Sequence, residues 1–120
     1  MAQILPNMIQ IVTEAKTLKA SAAVTKYRFV TYAGAHCGAA GFAAGVSYFD
    51  AAIGDPITVY GPGNIVPIEA STAITIGAIV TSDANGKAVT ATVLDATHSV
   101  MAICCQAAVA TGDIVSCLLL

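Results

Sequence analysis

Charge and aromatic rings are both scarce in this 120-residue chain: Asp, Glu, Lys and Arg make up 10%, aromatic residues 6%, and tryptophan is missing. A formal net charge of −2 leaves no basic excess to neutralise a phosphate backbone, which argues against a nucleic-acid partner. Cysteine is limited to Cys37, Cys104, Cys105 and Cys117, none of them in the CxxC or CxxH pairs of structural metal sites. Cys104 and Cys105 would point to opposite faces of a strand, and His36 beside Cys37 is poor geometry for joint ligation. Buried free thiols are therefore expected, with no metal and no cofactor. An export leader is not seen, because MAQILPNMIQIV lacks a positive start and carries Pro6, Asn7 and Gln10 among its apolar residues. Without export, a disulfide framework is not expected. The uncharged run at 29–49, FVTYAGAHCGAAGFAAGVSYF, is long enough for a bilayer, but glycine, His36 and hydroxyls fill it where Leu and Ile would be needed, so no membrane partner is expected. Neither GxSxG, nor a phosphate-cradling GxxxxGK[ST], nor HExxH occurs, and an enzyme is not expected.

What the chain has in quantity is small apolar side chains. The hydrophobic share is 57%, much of it Ala and Val. So short a chain buries this excess only in part within itself, which predicts further burial against neighbours in a homo-oligomer or larger assembly. Its charges are sorted along the chain. Lys16, Lys19, Lys26 and Arg28 are four of the five basic residues, and six of the seven acids lie at Asp50 or later. Such sorting fits solvated strand faces, or a basic amino-terminal portion facing an acidic surface.

Val-, Ile- and Thr-rich runs predict strands: PITVY, NIVPI, ITIGAIVT, KAVTATVL, SVMAICC and DIVSCLLL. Turn signals separate them at Gly54-Asp55-Pro56, Gly61-Pro62-Gly63-Asn64, Asp83-Ala84-Asn85-Gly86 and Gly112-Asp113, with Asn85-Gly86 a candidate type I′ turn. MIQIVTEAKTLKASAA contains good helix formers but no clean helical period. GAHCGAAGFAAG reads as an inter-strand loop. Two stretches repeat one another: ASAAVTKYRFVT at 20–31 and ASTAITIGAIVT at 70–81. Beyond them, DAAIGDPITV matches QAAVATGDIVSC, each with Ala-Ala, a Gly-Asp turn and a strand. The expected fold is all-β, a small pseudo-duplicated barrel or sandwich. An arm at 1–13 precedes a single domain at 14–120, built from similar halves at about 14–61 and 62–120, since neither half alone would bury its apolar face.

Gly63-Asn64-Ile65-Val66-Pro67, then Val80-Thr81-Ser82-Asp83-Ala84-Asn85-Gly86-Lys87, then the Ala-rich turn, Gly112-Asp113 and a terminal apolar strand together resemble the tailed-phage capsid cement, or head decoration, proteins. The likeness covers most of 12–120 and departs from the family pattern at Lys26-Tyr27-Arg28, where a Gly-Asp turn is common. It implies a small β-rich virion protein on the outer surface of an icosahedral head, made in the host cytoplasm. Such a protein would act as a homotrimer near threefold positions, with the major capsid protein as partner, clamping neighbouring coat subunits.

Candidate capsid or subunit contacts are Ile9, Ile11 and Val12 in the arm, expected to add a strand to a coat-protein sheet edge or to pack under a neighbour, and Lys26, Tyr27 and Arg28, where the second repeat has only Ile76, Gly77 and Ala78. An alternative is a head-fibre or carbohydrate-binding β module using Tyr27, Tyr32, Tyr48 or Tyr60. A third reading, a thiol enzyme pairing Cys37, Cys104 or Cys105 with His36 or His98, has no orienting motif behind it.

Overall fold

The computed structural model describes residues 15–39, 43–91 and 102–120. Ile9, Ile11, Val12 and His98 therefore lie outside the described residues. The protein is all-β. Among the described residues, nine strands run in order: β1 Ala15–Lys19, β2 Phe29–Val30, β3 Gly45–Ser47, β4 Pro56–Tyr60, β5 Ile65–Glu69, β6 Ile79–Ser82, β7 Ala88–Thr90, β8 Ala102–Cys104 and β9 Ile114–Leu119. They form two antiparallel sheets, ordered β1-β4-β3-β2 and β5-β9-β8-β6-β7. Apart from the added β7, the second order repeats the first.

The same hydrogen bonds recur in both sheets. Ala20 N–H donates to Asp55 O at 2.9 Å, and Ala70 N–H to Asp113 O at 2.8 Å. Gly54 N–H reaches Ala20 O, and Gly112 N–H reaches Ala70 O, both at 2.8 Å. An isolated bridge joins Val24 to Ala51 in one half and Ile74 to Ala108 in the other. Each Gly-Asp turn is closed by its own aspartate: Asp55 Oδ2 accepts the Ala52 N–H at 3.1 Å, and Asp113 Oδ2 accepts the Val109 N–H at 2.8 Å. A short side-chain acceptor that satisfies turn amides is the physical reason for Asp at this place.

Period-two alternation decides which side chains are interior. Ile57 and Val59 of β4 point to a small core with Ala20, Val24, Val30 and Ala44. Val115, Cys117 and Leu119 of β9 do the same in a larger core with Val66, Ile68 and Ile74. Phe29 and Val46 join this larger core although they belong to the first sheet. They lie on the face of that sheet opposite to Val30, and the second half covers them.

Two sequence expectations are corrected, and one stretch left without a strand assignment proves to hold one. ITIGAIVT is not one strand: Gly77 has φ 82° and breaks it, so that β6 begins only at Ile79. Asn85-Gly86 is not a type I′ turn, which needs positive φ at both residues. Here Gly86 has φ 81° and Asn85 is not left-handed, while Asp83 N–H donates to Lys87 O at 2.8 Å, giving a three-residue loop with glycine at its last position. AKTLK, within the stretch that lacks a clean helical period, is strand β1, paired to β4 from Ala15↔Tyr60 to Lys19↔Pro56.

Among the described residues, β1 and β5 are edge strands. In β5 the even-numbered residues face the ladder, since Ala70 N–H donates to Asp113 O and Leu119 N–H to Asn64 O. Pro67 thus falls on the outward side, where its missing N–H breaks no ladder bond.

Close approach fixes Gly45 in β3: a Cβ there would lie 2.1 Å from Tyr60 O. Gly45→Ala should destabilise the fold by about 3 kcal/mol, through forced separation of β3 and β4. Gly54→Ala, at φ +89° with nothing within 4 Å of the added carbon, should cost only the left-handed backbone penalty of about 1 kcal/mol. Urea denaturation of both variants checks the order.

Candidate functional site

Lys26, Tyr27 and Arg28 form the turn that leads into β2, at the junction of the two halves. Tyr27 is the only non-glycine residue with positive φ among the described residues, at 64°. Its counterpart is Gly77, and the backbone environment is the same: Tyr27 N–H donates to Ser47 O and Gly77 N–H to Cys104 O, each at 2.7 Å. An L side chain at such φ costs about 1–2 kcal/mol, so other contacts must hold Tyr27 there. Two kinds do. Glu69 N–H of β5 donates to Tyr27 O at 2.8 Å. The Tyr27 ring meets Tyr48 edge-on, with centroids 5.7 Å apart. Tyr48 in turn packs edge-on against Phe49 at 5.4 Å and Tyr60 at 5.5 Å. Edge-to-face pairs of this kind contribute about 0.5–1.5 kcal/mol each beyond their burial.

The three residues of the triplet have different fates. Arg28 Nε lies 3.4 Å from Glu69 Oε1, and Lys87 Nζ lies 3.3 Å from Glu69 Oε2. Arg28 is thereby used within the chain, tying the first half to β5. Tyr27 is half-buried in the ring cluster. Lys26 is exposed, with its N–H on Asp50 Oδ1 at 2.8 Å and its ammonium 5.2 Å from the Tyr27 ring centroid. The surface around it is completed by Phe49, 58% exposed, and by the edge of Tyr48. Phe49 was not among the residues singled out from sequence, although the run Tyr48-Phe49-Asp50 is the densest aromatic stretch and ends in an acid. Tyr32 stands apart from the cluster, 69% exposed, with Lys16 Nζ 4.7 Å from its ring centroid.

Among the described residues, His36 is the one histidine, and its ring is engaged by the backbone rather than by a thiol. His36 Nε2 accepts the Thr25 N–H at 2.8 Å, which uses the neutral ring's lone pair. Burial, and then the positive charge of Arg28, hold its pKa below the ordinary histidine value. Burial pushes the Cys37 thiol up. Burial and the neighbouring Cys104 push Cys117 up to about 12. Both stay protonated near neutral pH, the opposite of what a nucleophilic cysteine needs. Among the described residues, no group of three or more His, Cys, Asp or Glu is placed to hold a metal ion.

The sequence profile of the phage cement protein family matches residues 11–119. The chain belongs to the phage cement protein family. It is a structural protein of a phage capsid and a component of the virion. No curated protein matches the chain. Among solved structures, it is similar in fold to the N base of head fiber gp8.5 of bacteriophage phi29, with a TM-score of 0.72 and 21% identity, covering 91% of this chain and 95% of that one.

Two outcomes are expected. Tyr27→Gly should be more stable than Tyr27→Ala by about 1 kcal/mol, reversing the usual order of these residues, because both lose the ring and only glycine relieves the backbone. Chemical denaturation of the pair measures this. His36 has a folded pKa below its unfolded one, so its neutral form stabilises the fold above about pH 6.5, and this is lost as pH falls through the folded pKa. The wild-type thermal midpoint should drop between pH 7.5 and 5. His36→Gln should show a smaller drop, and equal drops would rule out the histidine as the source.

Proposed function

We propose that the chain binds the outer surface of an icosahedral phage head, clamps neighbouring major capsid protein subunits and thereby stabilises the shell. It does so without catalysing a reaction, and it works as a homotrimer. The observation that carries this reading is the family match over residues 11–119. We take residues 14–120 as one β domain made of two copies of a single unit, with 1–13 as an arm; the repeated strand order supports this.

The proposed contacts are Ile9, Ile11 and Val12 of the arm, together with Lys26 and the rings beside it. Arg28 contributes indirectly, by holding the turn against Glu69. An arm bearing Ile9, Ile11 and Val12 suits strand addition to a coat-protein edge, or packing under a neighbouring subunit. A compact aromatic surface suits a seam between subunits, where apolar area leaves water on binding. Each contact can be weak, because many copies engaged at several points gain by multivalency. The result is mechanical: area buried across the seams resists outward pressure from packaged DNA.

The alternative, a head-fibre or surface carbohydrate-binding module, is favoured by one observation, the fold likeness to a head fiber base. Sugar stacking would need flat exposed rings. Tyr27 and Tyr60 are half-buried, leaving Tyr32, Phe49 and the edge of Tyr48. A glycan array in which Tyr32→Ala abolishes a positive signal would favour this alternative.

Mixing the protein with expanded, undecorated heads should give saturable binding and greater resistance of the heads to heat. The double variant Lys26→Glu, Phe49→Ser should weaken binding about tenfold or more, equivalent to about 1.4 kcal/mol. Co-sedimentation measures both. Absence of saturable binding by the wild-type protein would overturn the capsid reading.

A further inference from the structure

Cys104 and Cys117 are register partners on the neighbouring strands β8 and β9. The hydrogen bonds around them show which kind of antiparallel pair they form. Cys104 N–H donates to Ala78 O at 2.9 Å and Cys104 O accepts the Gly77 N–H at 2.7 Å, so the Cys104 backbone groups are turned away from β9. The next pair closes the ladder instead, with Cys105 N–H on Ser116 O at 2.8 Å. Cys104 and Cys117 are thus a non-hydrogen-bonded pair, the kind in which Cα atoms approach to about 4.5 Å and side chains lie closest. That separation is within the range of about 4.4–6.8 Å that a disulfide bridges. Both side chains are buried in the larger core, and the two thiols are in hydrogen-bonding contact.

The first half shows that packing does not demand this pair. The same place there is held by Ser47 on β3 and Val59 on β4, again register partners. Ser47 and Cys104 make the same hydrogen bond, from Oγ to Phe49 O and from Sγ to Gln106 O. A hydroxyl and a branched aliphatic side chain therefore satisfy the site's shape and its polar bond. What the second half adds is a second thiol opposite the first. The other two cysteines are placed differently. Cys105 is exposed, with its Sγ turned to Ile103 O. Cys37 shares the larger core, but its thiol is engaged with Ser82.

We infer that Cys104 and Cys117 are a latent cross-strand disulfide, reduced in this structure, that joins when the chain meets a low-molecular-weight disulfide and then fastens β8 to β9. One cysteine thiolate attacks the small disulfide, forming a mixed disulfide and releasing one small thiol. The second cysteine thiolate attacks the protein sulfur of that mixed disulfide and displaces the other small thiol. Two protein S–H bonds are lost and one S–S bond is gained, while two electrons and two protons leave on the small thiols. The pair must open to solvent first, because in the closed sheet both thiols are enclosed and Cys117 is held protonated. Once made, the bond closes residues 104–117, with the Gly112-Asp113 turn, into a covalent loop that restricts the unfolded chain.

This inference rests on neither capsid binding nor self-association. Full-length Cys105→Ser protein, purified under reductant and then held in a glutathione redox buffer, tests it. Mass spectrometry should show a chain lighter by two hydrogen atoms, and peptide mapping should find Cys104 joined to Cys117. The thermal midpoint should rise by about 5 °C or more and return on reduction. Cys104→Ser and Cys117→Val, made in the same background, install the residues that the first half uses at these places. Both should keep the circular dichroism of the parent and show no rise. Refolding from urea in the same buffer removes the barrier of access and should give the same bond faster. If the pair stays mostly unbonded there, or Cys37 takes one of the two as its partner, the inference is overturned. A bond gained on refolding but never from the folded protein overturns the latent state. A 104–117 bond that leaves the thermal midpoint unchanged or lowers it overturns the fastening role.

Discussion

The backbone seam between residues 27–29 and the second half holds the rest in place. Glu69 N–H on Tyr27 O and Phe29 N–H on Gly86 O are two bonds at 2.8 Å, made by groups that would otherwise be orphaned at a strand edge. With that seam closed, Phe29 and Val46 have somewhere to be buried, and the larger core spans both halves. It also places Arg28 and Lys87 on either side of Glu69, where one carboxylate answers two cations. The left-handed backbone at Tyr27 is a local cost of bringing the segment into line. Its counterpart Gly77 takes the same left-handed shape, which costs glycine little.

Much of this was legible in the sequence where chemistry is local. The aspartates of Gly54-Asp55 and Gly112-Asp113 bond to amides of their own turns, so residue type alone announces them. PITVY alternates and DIVSCLLL is a β-prone apolar run, and they became β4 and β9. Features decided at a distance were not legible. AKTLK has little strand preference of its own and is a strand because β4 offers it a ladder; tertiary context overrides propensity there. Apolar alternation runs unbroken through ITIGAIVT, and nothing in its pattern reveals that Gly77 turns the chain. Arg28 invited a role in partner contact because its partner, Glu69, lies far away in the chain. Only the fold brings the two together and leaves Lys26 as the exposed charge of the triplet.

The two halves illustrate how a repeated unit acquires a direction. Their ladders, turns and bridges match, yet Phe29 and Val46 are sealed on one while Ile103 and Ile79 remain half-open on the other. Two units stacked by a twofold axis would hide the same face twice. Stacked in sequence, they hide it once and present it once. The same placement leaves a small core of Val24, Val30, Ile57 and Val59 in one half and a larger one in the other, so the halves are unequal in packing as well as in surface.

The burial of sulfur has a consequence for a particle that outlives the cell in which it is made. Leaving a reducing interior for an oxidising medium changes the equilibrium of every accessible thiol. Here Cys37, Cys104 and Cys117 are enclosed and only Cys105 meets solvent. Oxidation proceeds through the thiolate, and the enclosed groups with raised pKa supply little of it. Enclosure thus shields Cys37 beside β2 and Cys104 and Cys117 in β8 and β9 from oxidation while the sheet stays closed, and a change of redox environment falls on Cys105 first.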